Sequence, residues 1–356
     1  MKIGILTFHR AHNYGAVLQC YALQEALKSM GHDVQVIDYR QPFIEDVYHI
    51  FSIRRFGRLA VKHPLKALRY LAHICNRITA KNNFESFANQ YLSLSKEVDA
   101  FHIPCDYDVY VIGSDQVWNN SLTGGFDRIY WGDFKHNSSS KIIGYAISTS
   151  LSDFAKLKKQ QIEKYIDNFA SLSVREESLS SYLKKERLCK DSTICLDPTL
   201  VADKNIWNSL VSNKTENKRY VLIYQARGYK KIPDLLRLKA EYLAEKEDLE
   251  IVDLSSNKYS PKEFVEFFRY ASCVITTSFH GVVFSVIFNR PLYAIALEDG
   301  HDDRYTNLLK RLGAESLIVT PEFVPQRIPE IPAGINNRLS ALREDSVSFL
   351  EESLTN

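Results

Sequence analysis

The sequence predicts an α/β protein built from two parallel-sheet domains in tandem. Three features carry that reading. The chain opens with an apolar run, an amphipathic stretch and a second apolar run, which is the order of a βαβ unit. A polar, charged stretch at 203–218 interrupts the pattern, and the same alternation then restarts. The length, 356 residues, exceeds one ordinary domain. It suits two of roughly 150 to 200 residues.

The opening run KIGILTF, 2–8, reads as a buried strand. The turn HRAHNYG leads into a helix over 16–30, where Val17, Leu18, Tyr21, Ala22, Ala26 and Leu27 recur at helical spacing. Gly31 and His32 end it, and DVQVIDY, 33–39, is the next strand. Residues 47–84 then break the rhythm. They hold no Asp or Glu but eight Lys or Arg, at 54, 55, 58, 62, 66, 69, 77 and 81, interleaved with Ile53, Phe56, Leu59, Leu65, Leu68 and Leu71. One or two basic amphipathic helices are expected there, inserted into the first domain.

The α/β pattern resumes with a strand over 107–113, the loop SDQVWNNSLTGG and a strand over 141–148. A helix over 153–168, a strand over 170–175 and a helix from Glu176 follow, and a short strand over 193–196 ends in Asp197 and Pro198. The second domain reads as strands at 220–226, 249–254, 272–277 and 291–296 with helices at 231–245, 261–270 and 281–288 between them. A helix near 303–312, a strand near 316–319, a Pro-rich loop and a helix over 338–353 complete it. The expected division is 1–202 for the first domain, 203–218 for a linker, 219–337 for the second domain and 338–356 for a C-terminal helix. Two such domains place a ligand cleft between them, at the carboxyl ends of the strands.

Composition bounds the function. Hydrophobic residues make up 45% and charged residues 25%, as in soluble globular proteins. A net charge of +2 gives no global field, so no nucleic-acid partner is expected. Twenty Tyr and nineteen Phe suggest aromatic-lined clefts or faces. The six Cys form no C-x-x-C pair, which predicts reduced, mostly buried thiols in a cytosolic protein. The start MKIGILTFHR is too short for a signal-peptide core, and no apolar run approaches the roughly 18 residues of a membrane span.

The candidate chemistry lies at strand ends. The strand VITTS delivers Ser278 and His280 to the cleft, Gly281 leaves the backbone open, and a helix begins there. Backbone N–H groups, a helix dipole and an imidazole suit a phosphate or carboxylate. The plainer alternative is that Ser278 caps the helix and His280 packs. Arg175 ends another strand, where its guanidinium can grip an anion; alternatively it is an exposed partner of Glu176 or Glu177. The loop HRAHNYGAVLQ lacks G-x-G-x-x-G, so a dinucleotide site is not expected. Asn13 there suits a helix cap, and His9, Arg10 and His12 suit either a ligand or solvent. GSDQVWN brings Asp115, Gln116, Trp118 and Asn119 together, groups fit for sugar recognition and base catalysis. Asp106 and Asp108 mimic a metal-binding D-x-D but precede their strand, at the wrong end for a site.

The ordered set NYGAVLQCYALQ, VIGSDQVWN, SVREESLSSYL, CLDPTLV, TTSFHGVVFSVIFNRPLYAI and DDRYTNLLKRLG resembles the polysaccharide pyruvyl transferases over nearly the whole chain. The resemblance implies two Rossmann-like domains facing each other across a cleft, as in GT-B glycosyltransferases. It implies transfer of a pyruvyl group from phosphoenolpyruvate to two hydroxyls of a sugar as a cyclic ketal, with neither metal nor cofactor. It assigns Arg175, Ser278, His280 and Gly281 to the donor. Many relatives carry Arg-Leu-His-Gly where this chain has Ser278, Phe279, His280 and Gly281, so one cation is missing. Arg304 is the expected replacement. His280 and Asp115 are the expected acid and base, and His9, Asn13, Tyr14, Gln116, Trp118 and Asn119 the expected acceptor contacts. The implied acceptor is a lipid-linked oligosaccharide at the inner membrane leaflet, approached through peripheral contact of the basic span 47–84 with anionic lipid. The competing expectations are a nucleotide-sugar glycosyltransferase, with Glu298 or Asp299 on the ribose, and a non-catalytic assembly protein.

Overall fold

The computed structural model describes the chain except residues 51–52, 66–73, 190, 213–214, 216, 226–233, 257, 299–301 and 356, and except the side chains of 53–55. Two parallel sheets form its frame. The first comprises β1 (Lys2–Leu6), β2 (Asp33–Tyr39), β3 (Leu94–Val98), β4 (Val109–Gly113), β5 (Lys141–Ile147), β6 (Ser171–Val174) and β7 (Thr193–Ile194), in the order β3-β2-β1-β4-β5-β6-β7. The second comprises β8 (Tyr220–Tyr224), β9 (Glu250–Asp253), β10 (Cys273–Thr276), β11 (Leu292–Ile295) and β12 (Ile318–Val319), in the order β12-β11-β10-β8-β9. Every strand pair described is parallel. Apart from Lys2 at the start of β1, the central strands are largely apolar on both faces and buried, as helices covering both sides require.

The strand orders place the site. In the first sheet the chain turns one way from β1 to β2 and the other way to β4; in the second it diverges in the same manner between β8 and β10. Loops leaving such neighbours splay apart and open a crevice at the carboxyl ends. Each sheet therefore offers one crevice.

Helix Tyr14–Ser29 joins the two halves. Thirteen of its residues are buried, too many for a surface helix with one apolar stripe. It lies between the sheets. The Tyr14 hydroxyl donates to Tyr259 O at 2.9 Å, and its ring stacks on Phe264 at 4.3 Å. Tyr21 meets Trp207 edge-on. The last helix, Ile335–Thr355, also crosses back: Ser346 Oγ accepts from Leu196 N at 2.9 Å and Arg343 Nε donates to Leu200 O at 2.7 Å. One apolar cluster consequently holds Ile5 and Val111 together with Leu222 and Val274.

Some elements differ from expectation. β3 is an edge strand with half-exposed, charged positions, so LSKEV carries no alternating apolar signal. The helix expected over 153–168 is two, Leu151–Phe154 and Lys159–Ile166, and Leu157 packs against the core from the turn between them. The stretch 203–218 contains helix Lys204–Leu210, capped by Asp203 and anchored by the fully buried Trp207. Cys20, Cys195 and Cys273 are buried, but Cys75 and Cys105 are exposed, so the thiols are not mostly buried. Within the basic span, helix Ile53–Lys62 exposes Arg58 and Lys62, whereas Arg77 turns inward and donates to Val47 O. Lys66 and Arg69 lie outside the described residues, as do the side chains of Arg54 and Arg55. Among the described residues no helix is long and apolar enough to cross a membrane.

Tyr14→Phe should lower stability by about 1 kcal/mol, the worth of one hydrogen bond, and Tyr14→Ala by about 3–5 kcal/mol through cavity formation. The urea midpoint measures both.

Candidate functional site

A cleft of about 660 Å³ opens where the two crevices face each other. That volume is typical of a small-molecule site, roughly 300 to 1,000 Å³. The first sheet contributes Phe8 and Asn13 after β1 and Asp115, Gln116 and Asn119 after β4. The second contributes Tyr224 at the end of β8, Ser278 and His280 after β10, and Arg304 from helix Asp303–Arg311.

Local sequence explains each placement. The Asn13 side chain accepts from Ala16 N and caps the first helix. Asp115 sits at φ 62°, a left-handed conformation that Asp tolerates better than most residues. Its carboxylate accepts from Gln116 N at 2.8 Å and borders the cleft. The Asn119 amide donates to Gln116 Oε1 at 2.9 Å, fixing both side chains. Ser278 occupies the N-cap position of helix Phe279–Ile287 but makes no side-chain cap; its hydroxyl engages Tyr224 instead. Gly281 is required by space, because a Cβ there would lie 2.2 Å from Thr276 Oγ1. Gly15 is required in the same way: a Cβ would lie 2.0 Å from His280 Nδ1. His280 of the second half thus rests directly on the first helix of the other half.

Behind the cleft lies one fully buried carboxylate, Asp197. Its Oδ1 accepts from Thr199 N at 3.0 Å and from the Thr199 hydroxyl at 2.6 Å. Its Oδ2 accepts from Arg175 Nη1 at 2.6 Å. His280 Nε2 stands 3.6 Å from the same oxygen, an ion-pair distance and too long for a hydrogen bond. Burial alone would favour the protonated acid; His280, Arg175 and Thr199 outweigh it and hold the Asp197 carboxyl well below the ordinary range. Arg175 also donates through Nε to Glu176 Oε1 at 3.2 Å and lies 4.5 Å over the Phe279 ring. Ser148 Oγ donates to the same Glu176 oxygen at 2.6 Å.

Three buried polar atoms in this cluster have no hydrogen-bond partner: Arg175 Nη2, Glu176 Oε2 and His280 Nε2. Buried polar atoms are nearly always paired, and each unpaired one costs about 1–3 kcal/mol. Of the seven such atoms among the described residues, these three gather around a single carboxylate and concentrate unused hydrogen-bonding capacity there. Arg175 Nη2 is a donor, Glu176 Oε2 is an acceptor when ionised, and His280 Nε2 donates when it carries a proton.

The structure corrects several expectations. Arg175 does not face the main cleft. It lines a smaller adjoining pocket with Glu176, Asp197, Phe279 and Arg304, and two carboxylates already claim its charge. Nor is it exposed. Trp118 is not an acceptor contact: it is fully buried, stacked on Trp131 at 4.2 Å, with its indole N–H donating to Tyr130 O. Tyr14 is buried between the halves. His9 is buried, with Nε2 2.9 Å from Asp38 Oδ1, and lines a separate pocket with Arg10, His12, Arg40 and Lys81. Arg10 pairs with Asp38 too, and His12 stacks on Phe84. Burial, Lys81 and Arg77 push the His12 imidazole down to about 4. Asp106 and Asp108 are held by Lys2 at the opposite end of the sheet. Glu298 is exposed outside the cleft, and Asp299 lies outside the described residues. Gln116, Asn119, Asn13, Asp115, Ser278, His280 and Arg304 do line the cleft. Sequence reasoning missed Asp197 and Glu176; the Asp-Pro start of a short helix was the local sign of the first, and nothing local marked the second.

A family model described as polysaccharide pyruvyl transferase matches residues 13–299. Among solved structures, the chain is similar to a glycosyltransferase from Streptomyces nogalater at 12% identity, covering 99% of this chain and 98% of that chain with a TM-score of 0.44. It is similar to UDP-N-acetylglucosamine 2-epimerase from Rickettsia bellii at 12% identity, with 99% and 96% covered and a TM-score of 0.48. The UDP-GlcNAc 2-epimerase from Neisseria meningitidis is similar at 9% identity, with 99% and 100% covered and a TM-score of 0.47. No curated protein matches.

Asp197→Ala should destabilise the fold by about 3–5 kcal/mol, because it leaves Arg175 buried beside one carboxylate only. Asp197 is held in its ionised form, so its contribution is full above the ordinary carboxylate range and is lost as pH falls below it. Asp197→Asn should flatten the acid side of a stability–pH profile measured by urea titration.

Proposed function

The chain belongs to the polysaccharide pyruvyl transferase family, and on that premise we propose that it moves the pyruvyl group of phosphoenolpyruvate onto two hydroxyls of a lipid-linked surface-polysaccharide precursor. It is a transferase of polysaccharide biosynthesis. The observation that carries the donor assignment is the pair of unmatched donors, Arg175 Nη2 and His280 Nε2, beside Asp197. A small ligand bearing both a phosphate and a carboxylate supplies the missing acceptors. Arg304, which lines both the cleft and the smaller pocket, adds the cation that Phe279's neighbour Ser278 does not provide. The uncapped N-terminus of helix Phe279–Ile287 adds backbone donors.

The reaction balances as follows. The methylene carbon of the donor gains a proton, leaving an oxocarbenium-like C2. One sugar oxygen bonds to C2, the bond from C2 to the phosphate oxygen breaks, and the second sugar oxygen closes the ring. Of the two hydroxyl protons, one is matched by the new methyl hydrogen and the other by the hydrogen on the released phosphate. In this reading His280 binds the donor and gives a proton to the departing phosphate, Asp115, across the cleft, takes the proton of the first attacking hydroxyl, and the neutral His280 takes the proton of the second as the ring closes. Gln116, Asn119 and Asn13 hold the sugar.

The lipid-linked acceptor and the inner membrane face are supported by helix Ile53–Lys62. It has no acidic residue, exposes Arg58 and Lys62, and leaves Val61 85% exposed, with Leu65 76% exposed just beyond it. Exposed apolar and cationic side chains together suit an anionic lipid surface.

The test is donor choice in turnover with lipid-linked oligosaccharides. The expected result is phosphate release from phosphoenolpyruvate with ketal formation, reduced about 100-fold or more in His280→Asn, as for loss of an acid–base group. Release of a nucleoside diphosphate from a nucleotide sugar, with none of phosphate, contradicts it.

A further inference from the structure

We propose that Glu176 carries the proton to the methylene carbon of the donor, and that donor binding loads it with that proton. The inference rests on the pyruvyl-transfer reading above and assigns the one proton that reading leaves without a source.

The geometry singles out this carboxyl. Glu176 is 5% exposed. Its Oε1 is fixed by Ser148 Oγ at 2.6 Å and Arg175 Nε at 3.2 Å. Its Oε2 is buried without a partner. Glu176 lines the small pocket with Arg175, and Phe279 and Arg304 border both that pocket and the cleft, so the two spaces meet at those side chains. One oxygen clamped and the other unmatched in the wall of the small pocket, which holds about 20 Å³ and adjoins the cleft, is an arrangement suited to proton transfer.

Charge explains the loading. Arg175 is followed in the chain by Glu176 and Glu177, and Asp197 from the turn before helix Pro198–Val201 and Asp115 from the loop after β4 also act on it. His280 faces Asp197 from the second half, and helix Asp303–Arg311 brings Asp303, Arg304 and Arg311 to the pocket. Arg175 already serves two carboxylates. A donor adds a carboxylate and a phosphate to this enclosed place. Crowded like charges favour protonation of one carboxyl. Asp197 is the worse recipient, because both its oxygens are engaged by Thr199 and Arg175. Glu176 has an oxygen to spare. In the step itself the Oε2–H bond breaks, the donor's double-bond electron pair forms the new C–H bond, and Glu176 returns to carboxylate beside Arg175. It reloads from solvent when the next donor binds.

The test needs no acceptor. Phosphoenolpyruvate binding to the full chain is measured by calorimetry at about pH 8 in two buffers of different ionisation heat, where the difference counts protons taken up. Wild type should take up about one proton per donor more than Glu176→Gln, whose affinity is equal or tighter because a like charge is gone. His280→Asn should bind more weakly yet keep that Glu176-dependent proton. An uptake equal in wild type and Glu176→Gln, or a Glu176-dependent proton that disappears in His280→Asn, overturns the assignment. Loss of donor binding in Glu176→Gln also overturns it, since Glu176 would then merely hold Arg175. No binding of phosphoenolpyruvate by wild type defeats the pyruvyl-transfer reading itself, which is a separate outcome.

Discussion

The Asp197 carboxylate is the constraint on which the rest of the site depends. It is fully removed from water, a state that costs several kcal/mol unless matched by charge and hydrogen bonds. Its partners come from both halves of the molecule: Arg175 from the first sheet, Thr199 from its own turn, His280 from the second sheet. The carboxylate thus stands 3.6 Å from His280 across the boundary between the halves, while packing on the first helix sets the ring's position. Gly15 completes the arrangement by leaving room for the imidazole.

The fold supplies this meeting point through topology. Each parallel sheet has one place where neighbouring strands send their connections in opposite directions, and the two places face each other. Helix Tyr14–Ser29 is buried between the halves and holds them in register, so the cleft walls are set by core packing. The cleft walls are also unequal in kind. The first half offers amides and a carboxylate, Asn13, Gln116, Asn119 and Asp115, suited to hydroxyls. The second offers a helix start, an imidazole and a guanidinium, suited to anions.

Much of this was legible in the sequence, and for identifiable reasons. The central strands are apolar runs with sharp ends, and the first helix has a local cap in Asn13, so β1, β2 and the helix between them follow from neighbours in sequence. His280 and Ser278 were legible because a strand end, a glycine and a helix start adjoin within a few residues. Arg175 was legible as a strand-end cation, but its pairing with Asp197 is a contact across 22 residues that no local pattern records. Trp118 and Tyr14 were misread because a motif names a residue type without saying which face it presents; both turn into apolar packing. Glu176 was invisible as a functional group because its meaning lies in an oxygen left unmatched, a property of the folded surroundings alone.

The most direct measurement is a crystal structure with phosphoenolpyruvate bound. The account predicts donor oxygens within hydrogen-bond distance of His280 Nε2 and Arg175 Nη2, filling the junction of the cleft and the small pocket. A donor seated instead in the His9–Lys81 pocket, with those two nitrogens still unmatched, would contradict it.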